Sequence, residues 1–169
     1  MKAVIIGCGR VGAGLADELD RAGWQVLIID RVSSAFDRLP STFQGTALRG
    51  DGTDEDTLRR AGAEGADLFL ALTEGDNRNI MASQLGIEAL AARQTMAKIN
   101  DPVRAEAYAH LGIATLCRTN LMTTAVMAHL GQAAPAHPGI YPPGTAAHAH
   151  ADAASPAGAG ASPSTTTEA

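Results

Sequence analysis

The 169-residue sequence predicts an α/β fold: a doubly wound parallel sheet of about six strands with helices on both faces, followed by a disordered C-terminal tail. Three observations carry this expectation. Short β-branched runs alternate with helix-like stretches throughout residues 1–131. The run at 24–29 is apolar nearly throughout, as a strand covered on both faces must be. A glycine-rich turn joins the first such run directly to the first helical stretch.

Lys2–Ile6 reads as the first strand. Residues 10–22 read as a helix, because Val11, Leu15 and Leu19 recur four apart. The second strand follows at 24–29, and a short helix at 33–39 is stopped by Pro40. Residues 46–48 form a weak third strand. Thr53 is expected to cap a helix over 54–61, which Gly62 ends. A buried strand at 67–72 leads to a helix over 76–90, with Gly86 as a potential break or kink. Residues 95–99 form a strand, Pro102 opens a helix reaching about Leu111, and 114–117 form the last strand. Thr119 or Asn120 then caps a final helix ending near Leu130.

Composition changes near Gly131. Residues 132–169 are rich in Ala, Pro, Gly and His, and their only large apolar residues are Ile140 and Tyr141. Such a segment buries too little surface to offset its ordering entropy, so it reads as a disordered tail. Its removal is expected to leave the melting temperature nearly unchanged. The tail histidines His137, His148 and His150 read as solvated side chains. The domain proper is therefore 1–131.

With 13 Lys+Arg against 18 Asp+Glu, the net charge is −5, which speaks against a nucleic-acid partner held by phosphate neutralisation. No apolar run approaches a membrane span, so no direct membrane insertion is expected, and the N-terminal run breaks too early for a signal peptide. Cys8 and Cys117 read as reduced thiols of a cytosolic protein. No Ser/His/Asp set and no Cys/His metal cluster is evident, and His110 and His129 fall on helices.

The segment Gly7-Cys8-Gly9-Arg10-Val11-Gly12 is a G-x-G-x-x-G motif between strand and helix, the dinucleotide-binding context of a Rossmann-like fold. Gly7 permits the turn, Gly9 lets a pyrophosphate approach the backbone, and Gly12 lets helix and strand pack closely. The helix N-terminus offers free N–H groups to phosphate. Asp30 ends the second strand about 20 residues beyond the motif, where an acidic side chain accepts from ribose hydroxyls and repels a 2′-phosphate. NAD(H) or another adenine nucleotide is favoured over NADP, although the neighbouring Arg31 could receive a 2′-phosphate. Asp51 in Gly50-Asp51-Gly52-Thr53 could accept from an adenine amino group or simply serve a turn. Thr73 and Glu74 follow the fourth strand on its ligand-binding side, and Asp76 and Asn77 open the next helix. Lys98 is a cation in a parallel strand that a pyrophosphate could neutralise.

Together with Gly50-Asp51-Gly52-Thr53, Asp76-Asn77-Arg78-Asn79, Ala97-Lys98-Ile99-Asn100-Asp101-Pro102 and Leu111-Gly112-Ile113, these blocks resemble the N-terminal nucleotide-binding domain of TrkA-type potassium-uptake regulators, the RCK N-terminal domain. The resemblance implies a non-enzymatic regulatory subunit that senses NAD(H) or ATP/ADP on the cytoplasmic side of a membrane K⁺ transporter or channel. It would lie peripheral to the inner face of the plasma membrane through that partner. It implies that Gly7, Cys8, Gly9, Arg10, Val11 and Gly12 meet the phosphates. Asp30 and Arg31 would border the ribose, Asp51 and Gly52 the adenine, and Thr73, Glu74 and Asn77 the ligand's flank. Lys98 stands where the family often has arginine, keeping the charge without the bidentate fork. The final helix resembles one that packs onto a partner domain through Leu121, Ala125, Val126 and Leu130, so pairing with itself or with a second RCK-type subunit is implied. Family members commonly carry a second regulatory domain, and the tail stands in its place here. The rival readings are a small NAD(P)-dependent oxidoreductase, disfavoured because no substrate domain is evident, and an interaction module with a vestigial site.

Overall fold

A computed structural model describes residues 1–133 and 139–144. Seven strands form one sheet in the order β3-β2-β1-β4-β5-β6-β7. They are β1 (Lys2–Ile6), β2 (Gln25–Asp30), β3 (Thr46–Arg49), β4 (Leu68–Ala71), β5 (Thr95–Lys98), β6 (Ala114–Leu116) and β7 (Ile140–Tyr141). The first six run parallel, and β7 alone is antiparallel, pairing Thr115 with Tyr141 and Leu116 with Ile140. Five helices connect them: α1 (Arg10–Arg21), α2 (Glu55–Arg60), α3 (Asp76–Glu88), α4 (Pro102–His110) and α5 (Arg118–His129). Residues Ser33–Arg38 form a 3-10 helix where a short helix was expected.

Alternation along β1 sorts the core into two faces. Val4 and Ile6 join Leu27, Ile29, Leu58, Phe69 and Leu90 on one face. Ile5 joins Val26, Ile28, Leu70 and the α1 alanines Ala13 and Ala16 on the other. A third cluster under α4 gathers Ile99, Ala105, Ala109, Ile113 and Tyr141. A sheet covered on both faces leaves its strand ends as the place for a ligand, and the reversal of strand order between β1 and β4 opens a crevice there.

Several expectations change in detail. Asp54, not Thr53, caps α2: its side chain accepts from the Thr57 N–H, while the Thr53 hydroxyl turns back to Asp51. Gly86 neither breaks nor kinks α3. It is buried, and a Cβ there would lie 3.0 Å from the Phe69 ring, so the glycine lets α3 sit on β4. The final helix starts at Arg118, one to two residues before the expected caps, with Cys117 at its N-cap.

About six strands and a disordered 132–169 were expected; within that segment residues 139–144 add a seventh strand to the sheet. Cys117 N–H donates to the Gly139 carbonyl at 2.7 Å, Gly144 N–H to the Ala109 carbonyl at 2.9 Å, and Asn120 Nδ2 to the Tyr141 hydroxyl at 2.8 Å. The unpaired edge of β6 supplies the backbone partners, and Tyr141 supplies the buried surface. His137, His148, His150 and the rest of the tail lie outside the described residues.

Candidate functional site

The crevice holds a cavity of about 750 Å³, within the size range of small-molecule sites. Its floor is the end of β1 and the loop after it, Ile6 to Gly9. One wall comes from the end of β2 and the 3-10 helix, the other from Leu72, Thr73, Glu74 and Arg78 after β4, with Gly50 and Gly52 after β3 closing the side.

Two glycines of the motif, Gly7 and Gly12, have separate geometric reasons. Gly7 has φ +104° and donates its N–H to the Ile29 carbonyl at 2.8 Å; a Cβ there would press to 3.0 Å on the Thr73 backbone. Gly12 is tighter, because a Cβ would stand 2.0 Å from the Gly7 carbonyl oxygen. Gly9 is the N-cap of α1, and a Cβ there would meet nothing within 4 Å. No side chain caps α1, so the first-turn N–H groups of the helix remain available to an anion.

Asp30 braces this loop. Its Oδ2 accepts from the Cys8 N–H at 2.7 Å and its Oδ1 from the Val32 N–H at 2.9 Å. Each oxygen retains a lone pair for a further donor. Cys8 itself is buried beneath the cavity, with its thiol directed to the Ala35 carbonyl at 3.3 Å. Burial, then the neighbouring Asp30 charge, pushes that thiol's pKa up against the opposing pull of Arg38.

Asp51 Oδ1 accepts from the Thr53 backbone and hydroxyl at 3.0 and 2.7 Å, while Oδ2 lies 3.8 Å from Arg31 Nε. The Thr53 hydroxyl bond, then the Thr53 N–H bond, holds the Asp51 carboxyl below the ordinary aspartate pKa. The charges of Arg31 and Arg78 add to this against a partial burial penalty.

Of the residues expected at the site, the structure brings Gly7, Cys8, Gly9, Asp30, Arg31, Gly52, Thr73 and Glu74 to the cavity lining. Arg10, Val11, Gly12, Asp51, Asn77 and Lys98 are not among the lining residues. Lys98 is 5% exposed, and its ammonium lies 3.6 Å from the Glu74 carboxylate on the far side of the β4 end. Asn77 instead accepts from the Arg104 guanidinium.

Sequence reasoning missed three contributors. Arg38 and Arg78 line the cavity, and no local pattern distinguishes a helix arginine over a crevice from one in open solvent. Fully buried Asn79 organises the β4 end: its Oδ1 accepts from the Thr73 N–H and hydroxyl at 2.8 and 2.7 Å, and its Nδ2 donates to the Thr73 and Lys98 carbonyls at 3.0 and 2.8 Å. Its place in the block Asp76-Asn77-Arg78-Asn79, on the helix face shared with Ile80 and Ser83, was the available signal. Among the described residues no group of acidic, His or Cys side chains is arranged to hold a metal ion. No described helix is long and apolar enough to cross a membrane.

Comparison with known proteins gives a consistent picture. The chain is 47% identical over 116 residues to the Streptomyces coelicolor Trk system potassium uptake protein TrkA, a match covering 69% of this chain and 52% of that protein. The chain thus spans about half the length of the curated relatives it matches. It superposes on the TrkA-N domain of the Escherichia coli inner membrane protein ybaL with a TM-score of 0.65 at 18% identity, covering 76% of this chain and 95% of that one. The GsuK structure bound to ADP matches with a TM-score of 0.56 at 27% identity, over 68% of this chain and 29% of that one. The TrkA-N domain family matches residues 3–119, which include all of the parallel sheet except Lys2, and the whole glycine-rich loop; the chain belongs to that family.

Proposed function

We propose that this domain is a nucleotide-sensing regulatory module of a membrane potassium-uptake transporter or channel, binding NAD(H) or ATP/ADP without turning it over. The observation that carries the reading is the link between Asp30 and the Cys8 N–H, which sets a ribose acceptor and a phosphate loop at one cavity wall in fixed relation. In this reading Gly7, Cys8, Gly9 and the first turn of α1 at Arg10, Val11 and Gly12 receive phosphate. Asp30 and Arg31 receive the ribose, and Asp51 with Gly52 the adenine. Thr73 and Glu74 border the ligand, with Asn77 and Lys98 supporting that border from behind.

A role in potassium uptake is supported by the name of the Streptomyces relative, and a nucleotide ligand by the ADP in the GsuK structure. The Cys8 thiol on the cavity lining has its pKa raised by burial and by Asp30, which disfavours the thiolate and suits binding better than nucleophilic chemistry. The module acts from the cytoplasmic side, paired with a second copy or with another RCK-type subunit. Helix α5 supports pairing: among the described residues it has no fully buried side chain, and it exposes Met122 and Val126, with Leu130 exposed at its C-cap. Ligand that binds one arrangement of the pair more tightly biases the membrane partner toward it.

The test is titration of the purified chain with NADH, NAD⁺, ATP and ADP by calorimetry, with its oligomer mass followed in parallel. Saturable binding without consumption of ligand is expected. No binding, or oxidation of NADH with a small carbonyl compound, defeats the reading.

A further inference from the structure

We propose that Arg78 is the residue that covers the ligand's purine, laying its guanidinium plane on the face of the base; this deepens the nucleotide reading above and rests on it. Five observations lead there. None of the cavity's lining residues is aromatic, so a planar base finds a planar partner only in an arginine. Of the three arginines on the lining, two are engaged: Arg31 lies against Asp51, and Arg38 donates to the Ala35 carbonyl at 3.2 Å. Arg78 is exposed and makes no hydrogen bond or ion pair among the described residues.

The backbone beneath Arg78 is pinned on both sides. Asp76 accepts from the Asn100 N–H and Nδ2, both at 3.0 Å, and Asn79 is locked to Thr73 and Lys98. A long side chain therefore reaches over the crevice from a rigid base. Arg78 shares the cavity lining with Gly50 and Gly52, after β3, and its charge is felt at Asp51 between them. With ribose at Asp30 and phosphate at the glycine loop, the β3 end is the base end of the site. The guanidinium thus belongs with the purine and not with the diphosphate.

The experiment compares the full chain with Arg78→Ala and Arg78→Lys by calorimetry, using AMP and ADP. Arg78→Ala is expected to weaken AMP and ADP by the same factor, roughly 5- to 10-fold, and Arg78→Lys to fail to restore it, because lysine keeps the charge and loses the plane. Recovery by lysine, a loss for ADP several-fold larger than for AMP, or unchanged affinity in the alanine variant overturns the proposal while leaving the nucleotide site intact. Failure of the unaltered chain to bind either nucleotide overturns both. Melting curves without nucleotide show that each variant is folded.

Discussion

Asp30 serves two structures at once, taking one N–H from the glycine loop and one from its own turn. Asp30→Ala is therefore expected to weaken adenine-nucleotide binding by about 1.5–3 kcal/mol, the range for charge-assisted hydrogen bonds, and an unchanged dissociation constant by calorimetry refutes the ribose placement. Asp51 offers a second check at this scale. Its carboxyl is held below the ordinary value first by the Thr53 hydroxyl, so the ionised form is favoured in the folded state. The associated stability is present above the ordinary aspartate pKa and is lost as pH falls through the lowered one. Thr53→Val, which keeps the backbone N–H bond, is expected to raise the Asp51 pKa and move that loss to higher pH. Carboxyl NMR titration measures it, and an unmoved titration sinks the assignment. Asp30 was legible because it ends a strand beside the glycine turn, whereas Asp51, read as a turn or an adenine contact, lies in a turn with Thr53 and is not among the cavity's lining residues. Asn79 carried only the signal of its place in the block Asp76-Asn77-Arg78-Asn79, which does not say that its amide turns inward to Thr73 and Lys98.

At the scale of elements, the contact between α1 and β1 depends on a missing side chain. Gly12→Ala places a methyl group 2.0 Å from the Gly7 carbonyl oxygen, where backbone cannot yield cheaply. A loss of about 1–3 kcal/mol or more in denaturant unfolding is expected, with nucleotide affinity falling as the loop distorts. Native-like stability and binding in that variant would show the close approach to be unimportant. Strand β7 is the opposite case, an element added where little was expected. Tyr141 is 8% exposed, and Tyr141→Ala is expected to cost roughly 2–4 kcal/mol, at the low side of large-to-small core changes. Truncation before Gly139 should act likewise and lower the melting temperature, in place of the neutral effect expected from composition. An unchanged midpoint for both would mean that the edge strand contributes nothing. Composition misjudged this segment because the surface it buries belongs to α4 and β6, which are remote in sequence.

For the molecule as a whole, the sheet leaves one end of the fold to the cavity, and among the described residues helix α5 has no fully buried side chain. Helix α5 exposes Met122 at 63% and Val126 at 57%, with Leu130 at its C-cap exposed at 61%, the apolar surface on which the proposed pairing would rest. The double substitution Met122→Asp with Val126→Asp is expected to weaken self-association at least ~10-fold, read by light scattering across concentration. Unaltered mass would place the pairing surface elsewhere. Nucleotide affinity of the separated chain then reports how far pairing and ligand are linked.

The sequence by itself determined the alternating α/β order, the glycine turn and the acid at the end of β2, because these depend on local periodicity, on backbone conformations open to glycine, and on spacing along one chain. Only the tertiary structure decided that Lys98 turns to Glu74 behind the cavity, that Arg38 and Arg78 face into it, and that Ile140 and Tyr141 complete the sheet. Those outcomes depend on which distant surfaces meet, and desolvation and hydrogen-bond pairing between such surfaces leave no trace in a residue's immediate neighbours.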